Sequence, residues 1–308
     1  MRAILSMALL ASLAAAQEPN RKAGILLDKL DSELGEIARR FDGVMGIAVL
    51  DLASGRNILH QADEAFPTAS TIKIAVLAEL YHQSEQAAAG LPGKARLTDF
   101  YTMNAADLVA DSHIMGGLTP GLSRVTNRDL AVFMVAVSDN SATNVLIDRV
   151  GMESVNAFLQ SLGLRETRLR RKMMDLQAAK EGRENAATPR ELLVLLEAIY
   201  RGKALGSEAT EDFLKILSTP KESPIPRLLP DDVRIANKPG ALEGVRCDAG
   251  IVFAENRPFI LAAMTSYAAN ERAADDAISR AAAAAFSCFE RLGRSSPYGR
   301  VISPRNSR

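Results

Sequence analysis

The sequence predicts an α/β (α+β) fold in which one antiparallel sheet, assembled from both chain ends and flanked by terminal helices, stands beside an all-helical lobe. Three observations carry this. Short apolar runs suited to strands fall near both ends, and the long region between them is rich in alanine and leucine. A proline-laden break, STPKESPIPRLLP at 218–230, divides that region from the later strands. Strands at both ends with helices between them imply one antiparallel sheet assembled from both chain ends, with the terminal helices packed on it.

In order along the chain, residues 1–16 read as a signal peptide: a cation at Arg2, an apolar run from Ala3 and small residues at Ala14 and Ala16. Export to a periplasm or beyond is the expectation. The apolar run is too short to span a bilayer, and no later segment approaches the length of a spanning helix, so no membrane span is expected in the mature chain. Ile25, Leu26, Leu30, Leu34 and Ile37 recur at helical spacing and predict a first amphipathic helix over 21–41. VMGIAVLDL from Val44, the turn ASGR, and Asn57 to His60 read as a strand hairpin. Residues 71–217 read as helical. Strands return over 233–238, 244–254 and 258–266, and an alanine-rich helix over 268–292 closes the domain. The expected organisation is one domain over 17–292, with an α/β lobe of 21–66 and 220–292, a helical lobe of 67–219 and a disordered tail of 293–308.

The chain has 308 residues, enough to bury a full core, with 37 Lys plus Arg against 37 Asp plus Glu, so no basic field argues for nucleic acid. Cys247 and Cys288 can pair in an oxidising compartment or remain buried thiols. CxxC and HExxH are absent and the three histidines are scattered, so neither a metal nor another cofactor is expected. A small-molecule substrate and a monomeric state are expected, the site lying between the lobes.

Three short motifs can carry chemistry. Ser70-Thr-Ile-Lys73 sets a serine and a lysine three apart at a helix start, on one face, where the helix N-terminus favours developing negative charge. A lysine acts as base only when neutral, which requires its pKa to fall by roughly three units, about 4 kcal/mol. Ser138-Asp139-Asn140 lies between two apolar helices and can point a hydroxyl and an amide into a cleft, although the same residues serve as helix caps. Lys238-Pro-Gly240 lies near the end of a strand, where the cation can hold a carboxylate and the glycine permits close approach. Each motif alone is weak: Ser218-Thr-Pro-Lys221 also matches the first, in a proline-rich loop that reads as chance.

Together and in this order, S-x-x-K, S-D-N and K-x-G resemble the signature of the class A serine β-lactamases, within the penicillin-recognising serine acyl-transferases, over about 21–291. The resemblance implies that Ser70 is the acylated nucleophile and Lys73 its base or relay. Ser138 would pass a proton to the leaving nitrogen, and Asn140 would grip the substrate side chain. Lys238 would attract the substrate carboxylate, and the N–H groups of Ser70 and Ala241, beside Gly240, would form the oxyanion hole. The expected substrates are β-lactams. A D,D-carboxypeptidase or esterase, and a penicillin-binding sensor that stays acylated, share the same motifs.

The chain departs from the family pattern in two places. Pro239 replaces the usual threonine or serine, removing a hydroxyl and an N–H, and Arg246 is the expected substitute anchor. In RRKMMDLQ, 170–177, Met173 falls where the family carries the glutamate that activates the deacylating water, and Gln177 falls on the accompanying amide position. Asp175, two residues on, would share the face of Met173 if the segment is extended and is the expected replacement base, with Glu181 and Glu184 as alternatives. Without a placed base the acyl-enzyme should accumulate.

Overall fold

The computed structural model describes residues 21–302, so the expected signal peptide lies outside the described residues. Helix α1 (Arg21–Arg40) and the hairpin β1 (Val44–Asp51) and β2 (Asn57–His60) lead to a two-residue strand, β3 (Phe66–Pro67). The helical region then holds α2 (Lys73–Ala88), the short strands β4 (Phe100–Thr102) and β5 (Arg124–Thr126), α3 (Asn127–Ala136), α4 (Asn140–Val150) and α5 (Met152–Ser161). It continues through α6 (Leu176–Lys180), β6 (Ala186–Ala187), α7 (Pro189–Tyr200) and α8 (Ser207–Leu217). The chain returns to the sheet with β7 (Ile235–Leu242), β8 (Val245–Val252) and β9 (Phe259–Ser266), and then α9 (Glu271–Gly293).

The main sheet has the order β2-β1-β9-β8-β7 with every pairing antiparallel, so both chain ends build it as expected. Its two faces bury separate cores. One face packs under α1 and α9 with Leu30, Leu34, Val49, Leu261, Ile278 and Phe289. The other joins the helical lobe through Ala48, Leu50, Ile251 and Ile260. Cys247 belongs to the second core and Cys288 to the first, and both are free thiols.

Four details correct the sequence reading. In α1 the buried stripe is Leu27, Leu30, Leu34 and Ile37, so Leu27 takes the place expected of Ile25, which is 49% exposed. The middle lobe is not purely helical: β4 pairs with β5, and β3 with β6, fastening long connections whose strands are too short to show a period. Residues 294–302, expected within a disordered tail, close a small turn through the Ser295 to Val301 bridge and the Ile302 N–H to Arg294 carbonyl bond. The strand expected over 233–238 begins at Ile235 and runs on to Leu242, carrying the third motif wholly inside it.

β7 is the edge strand beside the helical lobe, and alternate main-chain groups along its outer side face the space between the lobes. Among the described residues no helix is long and apolar enough to cross a membrane.

Candidate active site

Ser70 sits on a 3-10 turn, Ala69–Ile72, that runs directly into α2. Ala69, just before it, has φ +46°, a left-handed conformation that costs a non-glycine residue on the order of 1–2 kcal/mol. The turn is held by its surroundings: the Thr68 N–H donates to the Asn185 carbonyl at 2.9 Å and the Thr71 hydroxyl to the Lys238 carbonyl at 3.2 Å. The second bond ties β7 to the turn, and Gly240 makes that approach possible. A Cβ on Gly240 would stand 2.5 Å from the Thr68 carbonyl oxygen and 2.9 Å from the Thr71 nitrogen, both main-chain atoms. Gly240→Ala is therefore expected to cost about 1–3 kcal/mol in thermal unfolding and to slow acylation, because the turn carrying Ser70 must shift. An unchanged melting temperature would disprove this close packing.

The S-D-N turn enters from α3 and α4. Ser138 has φ +58° and sits where the two helices meet. Asp139 pins it: the fully buried carboxylate accepts the Ala142 N–H at the start of α4 and the N–H groups of Ile114 and Met115 from the facing loop. Asp139 is thus a structural residue, in the capping role that the motif's residue types also allow.

These elements bring the serines and the lysine together. The Ser138 hydroxyl donates to Ser70 Oγ at 2.9 Å, and Lys73 Nζ donates to Ser138 Oγ at 2.9 Å, to the Ser138 carbonyl at 2.7 Å and to Asn140 Oδ1 at 2.9 Å. Lys73 reaches Ser70 through Ser138, not directly. Lys238 Nζ approaches the same hydroxyl from β7 at 3.2 Å and donates to the Pro239 carbonyl at 3.0 Å. Asn140 also donates from Nδ2 to the Ala110 carbonyl at 3.2 Å, which leaves one amide hydrogen for a ligand.

Burial decides the protonation of the lysines. Lys73 is fully buried, and burial together with the Lys238 charge lowers its pKa well below the ordinary value, against the pull of Asp139 and Asp111. Lys238 is lowered to about 7 by burial and by the charge on Lys221, with Asp248 opposing. A neutral Lys73 would give its two N–H groups to the Ser138 carbonyl and Asn140 Oδ1 and keep a lone pair facing the Ser138 hydroxyl, the arrangement of a base.

The cleft around Ser70 has a volume of about 870 Å³, within the range of small-molecule sites. Met173, Met174 and Leu176 form an apolar wall on the side of the 170–177 loop. Met173 is clamped there: Asn144 of α4 accepts its N–H at 2.8 Å and donates to its carbonyl at 3.1 Å. Asp175 does not share that wall. Met173 and Met174 form a turn, Met174 having φ +64°, so the extended geometry that would align residues 173 and 175 is absent. Asp175 is exposed and caps α6 by accepting the Ala178 N–H at 2.9 Å. The alternatives are also occupied elsewhere. Glu181 pairs with Arg183, Glu184 accepts from Arg171 at 2.7 Å, and Gln177 donates to Glu181 at 2.7 Å on the exposed side.

Arg246 lies opposite Ala241 and lines the cleft, but α9 already engages it: its guanidinium pairs with Glu271 and, at 3.4 Å, with Asp275. Sequence could not show this because Glu271 is 25 residues away. Lys221, from the motif read as chance, lines the cleft beside Lys238; Ser218, its motif partner, instead donates to the Leu214 carbonyl in the last turn of α8.

Residues 29–289 match the beta-lactamase enzyme family. The chain belongs to this family. It is 30% identical to a beta-lactamase of Streptomyces lavendulae over 257 residues, covering 79% of this chain and 81% of that protein. An ancestral class A beta-lactamase superposes with a TM-score of 0.76 at 28% identity, covering 84% of this chain and all of the other. A mutant of PBP-A, solved as an acyl-enzyme complex with penicillin G, superposes with a TM-score of 0.76 at 25% identity, covering 86% and 98%. The protein is a serine hydrolase of the class A beta-lactamase-like group, and its S-x-x-K, S-D-N and K-x-G motifs meet in one cleft.

Proposed function

We propose that this enzyme is acylated on Ser70 by β-lactams and releases the acyl group slowly. The observation that carries the proposal is the hydrogen-bonded chain from Ser70 through Ser138 to the buried Lys73. In acylation, Ser70 Oγ adds to the lactam carbonyl carbon while its proton passes through the Ser138 hydroxyl to neutral Lys73. The oxyanion is received by the N–H groups of Ser70 and Ala241. As the C–N bond breaks, Ser138 gives a proton to the leaving nitrogen and recovers one from Lys73, leaving an ester on Ser70. Asn140 holds Lys73 in place and offers its remaining amide hydrogen to the substrate. Lys238 helps keep Lys73 neutral, since neighbouring like charges oppose one another.

Slow release is supported by Met173, which lines the cleft at the position where the class A pattern implies a glutamate, and by the outward engagement of Asp175. The same observation favours a second reading, a D,D-carboxypeptidase or esterase that meets β-lactams as slow acylating agents. Action outside the cytoplasm follows from the N-terminal pattern of residues 1–16.

Mixing the enzyme with a chromogenic cephalosporin should give a stoichiometric burst followed by a steady rate at least about a hundredfold slower. Mass spectrometry should find the adduct on Ser70 and none in Ser70→Ala. Absence of any adduct would end the proposal. Faster release from an acyl-D-alanyl-D-alanine peptide than from the cephalosporin would select the peptidase reading.

A further inference from the structure

From the geometry we infer that Lys221 is a substrate-binding residue that, with Lys238, holds the carboxylate of the substrate and so supplies the grip that Pro239 cannot provide. The inference rests on the acylation proposed above. Lys221 and Lys238 line the same cleft, and the charge of Lys221 acts on Lys238. They differ from the other cations around the cleft. Arg171 is paired with Glu184, Arg227 with Asp276, and Arg246 with Glu271 and Asp275. Among the described residues neither lysine forms an ion pair.

Each ammonium keeps donors for a ligand. Lys238 uses two N–H groups, on the Ser138 hydroxyl and the Pro239 carbonyl, and retains one. Lys221 uses one, on the Leu217 carbonyl at 2.8 Å, and retains two. A carboxylate accepts from several donors at once, so an anion between the two ammonium groups satisfies both. It also relieves their mutual repulsion, which lowers Lys238, while burial holds Lys221 at about 8. The nearby acids do not occupy this place. The charge of Asp248 acts on both lysines, but its carboxylate is engaged by Asn237 and the Ile225 N–H and forms no ion pair with either, while Glu222 and Asp231 are exposed at the rim. Pro239 supplies neither hydroxyl nor N–H, so the second lysine provides what the third motif lacks.

A matched pair of probes tests this: a chromogenic cephalosporin and the methyl ester of its carboxylate. Wild type should be acylated at least about tenfold more efficiently by the acid, with the difference in apparent affinity and not in the maximal acylation rate. Lys221→Met should lose most of that preference, by raising KM for the acid, while its acylation by the ester stays within about twofold. Lys221→Arg should retain the preference, which guards against a methionine variant that fails to fold. Equal preference in wild type and Lys221→Met, or an equal loss on both probes, would overturn the role of Lys221 while leaving Ser70 acylation intact. If wild type is acylated by neither probe, the acylation proposal itself fails and this inference falls with it.

Discussion

Lys73→Met is expected to slow acylation of Ser70 by a factor of about a hundred to ten thousand, the usual contribution of a general base. The side chain is fully buried and its ammonium is the far end of the Ser70–Ser138 chain, so methionine keeps the volume and removes the proton acceptor. The comparison to make is the burst rate with a chromogenic cephalosporin, alongside thermal unfolding as a function of pH. The second measurement separates a lost base from a lost fold. Lys73 has a native pKa depressed below its ordinary value of 10.5, so between those two values the unfolded chain binds more protons than the folded one. Stability therefore rises with pH through that window, and below it the full cost of burying the charge is felt. Lys73→Met should show a flatter rise than wild type, retaining the contributions of Lys238, from about 7, and Lys221, from about 8. A burst within tenfold of wild type would remove Lys73 as the base.

What could be read from the sequence follows from how locally each feature is determined. The β1–β2 hairpin is fixed by a short apolar run and a four-residue turn, and the antiparallel sheet by strand character at both ends. Ser70 and Lys73 are three residues apart at a helix start, so their common direction is a local property. Features that depend on distant partners were not legible. Arg246 has the right type and place, yet Glu271 and Asp275 on α9 bind it. Lys221 stands in a chance match to the nucleophile motif, and its value lies in the cleft it shares with Lys238, 17 positions on, which no local pattern reveals. Asp175 failed for a conformational reason: one left-handed residue, Met174, reverses the alternation on which its placement relied. Asn144 lies just beyond the S-D-N motif, but its function, clamping the main chain of Met173, is visible only when α4 and the 170–177 loop meet.

That clamp makes Met173→Glu the most informative gain of function. Asn144 fixes the main chain on both sides of residue 173, so a glutamate there would leave the backbone in the same place and enter the cleft wall where Met173 now stands. A carboxylate at that point can activate water against the Ser70 ester, and the steady rate with the cephalosporin is expected to rise by about a hundredfold or more. Two opposing effects set the limit. An ionised carboxylate buried in place of methionine costs several kcal/mol unless it finds donors, so the melting temperature should fall. A negative charge added to the cleft favours the protonated form of Lys73, so acylation should slow while deacylation quickens. Met173→Gln carries the same shape without a base and should leave the steady rate near wild type. Asp175→Asn should also leave it unchanged, since that side chain caps α6 and asparagine caps as well. If Met173→Gln matches Met173→Glu, the gain comes from admitting water; if Asp175→Asn abolishes turnover in the wild-type background, Asp175 reaches the acyl ester after all and the slow step is not set by Met173.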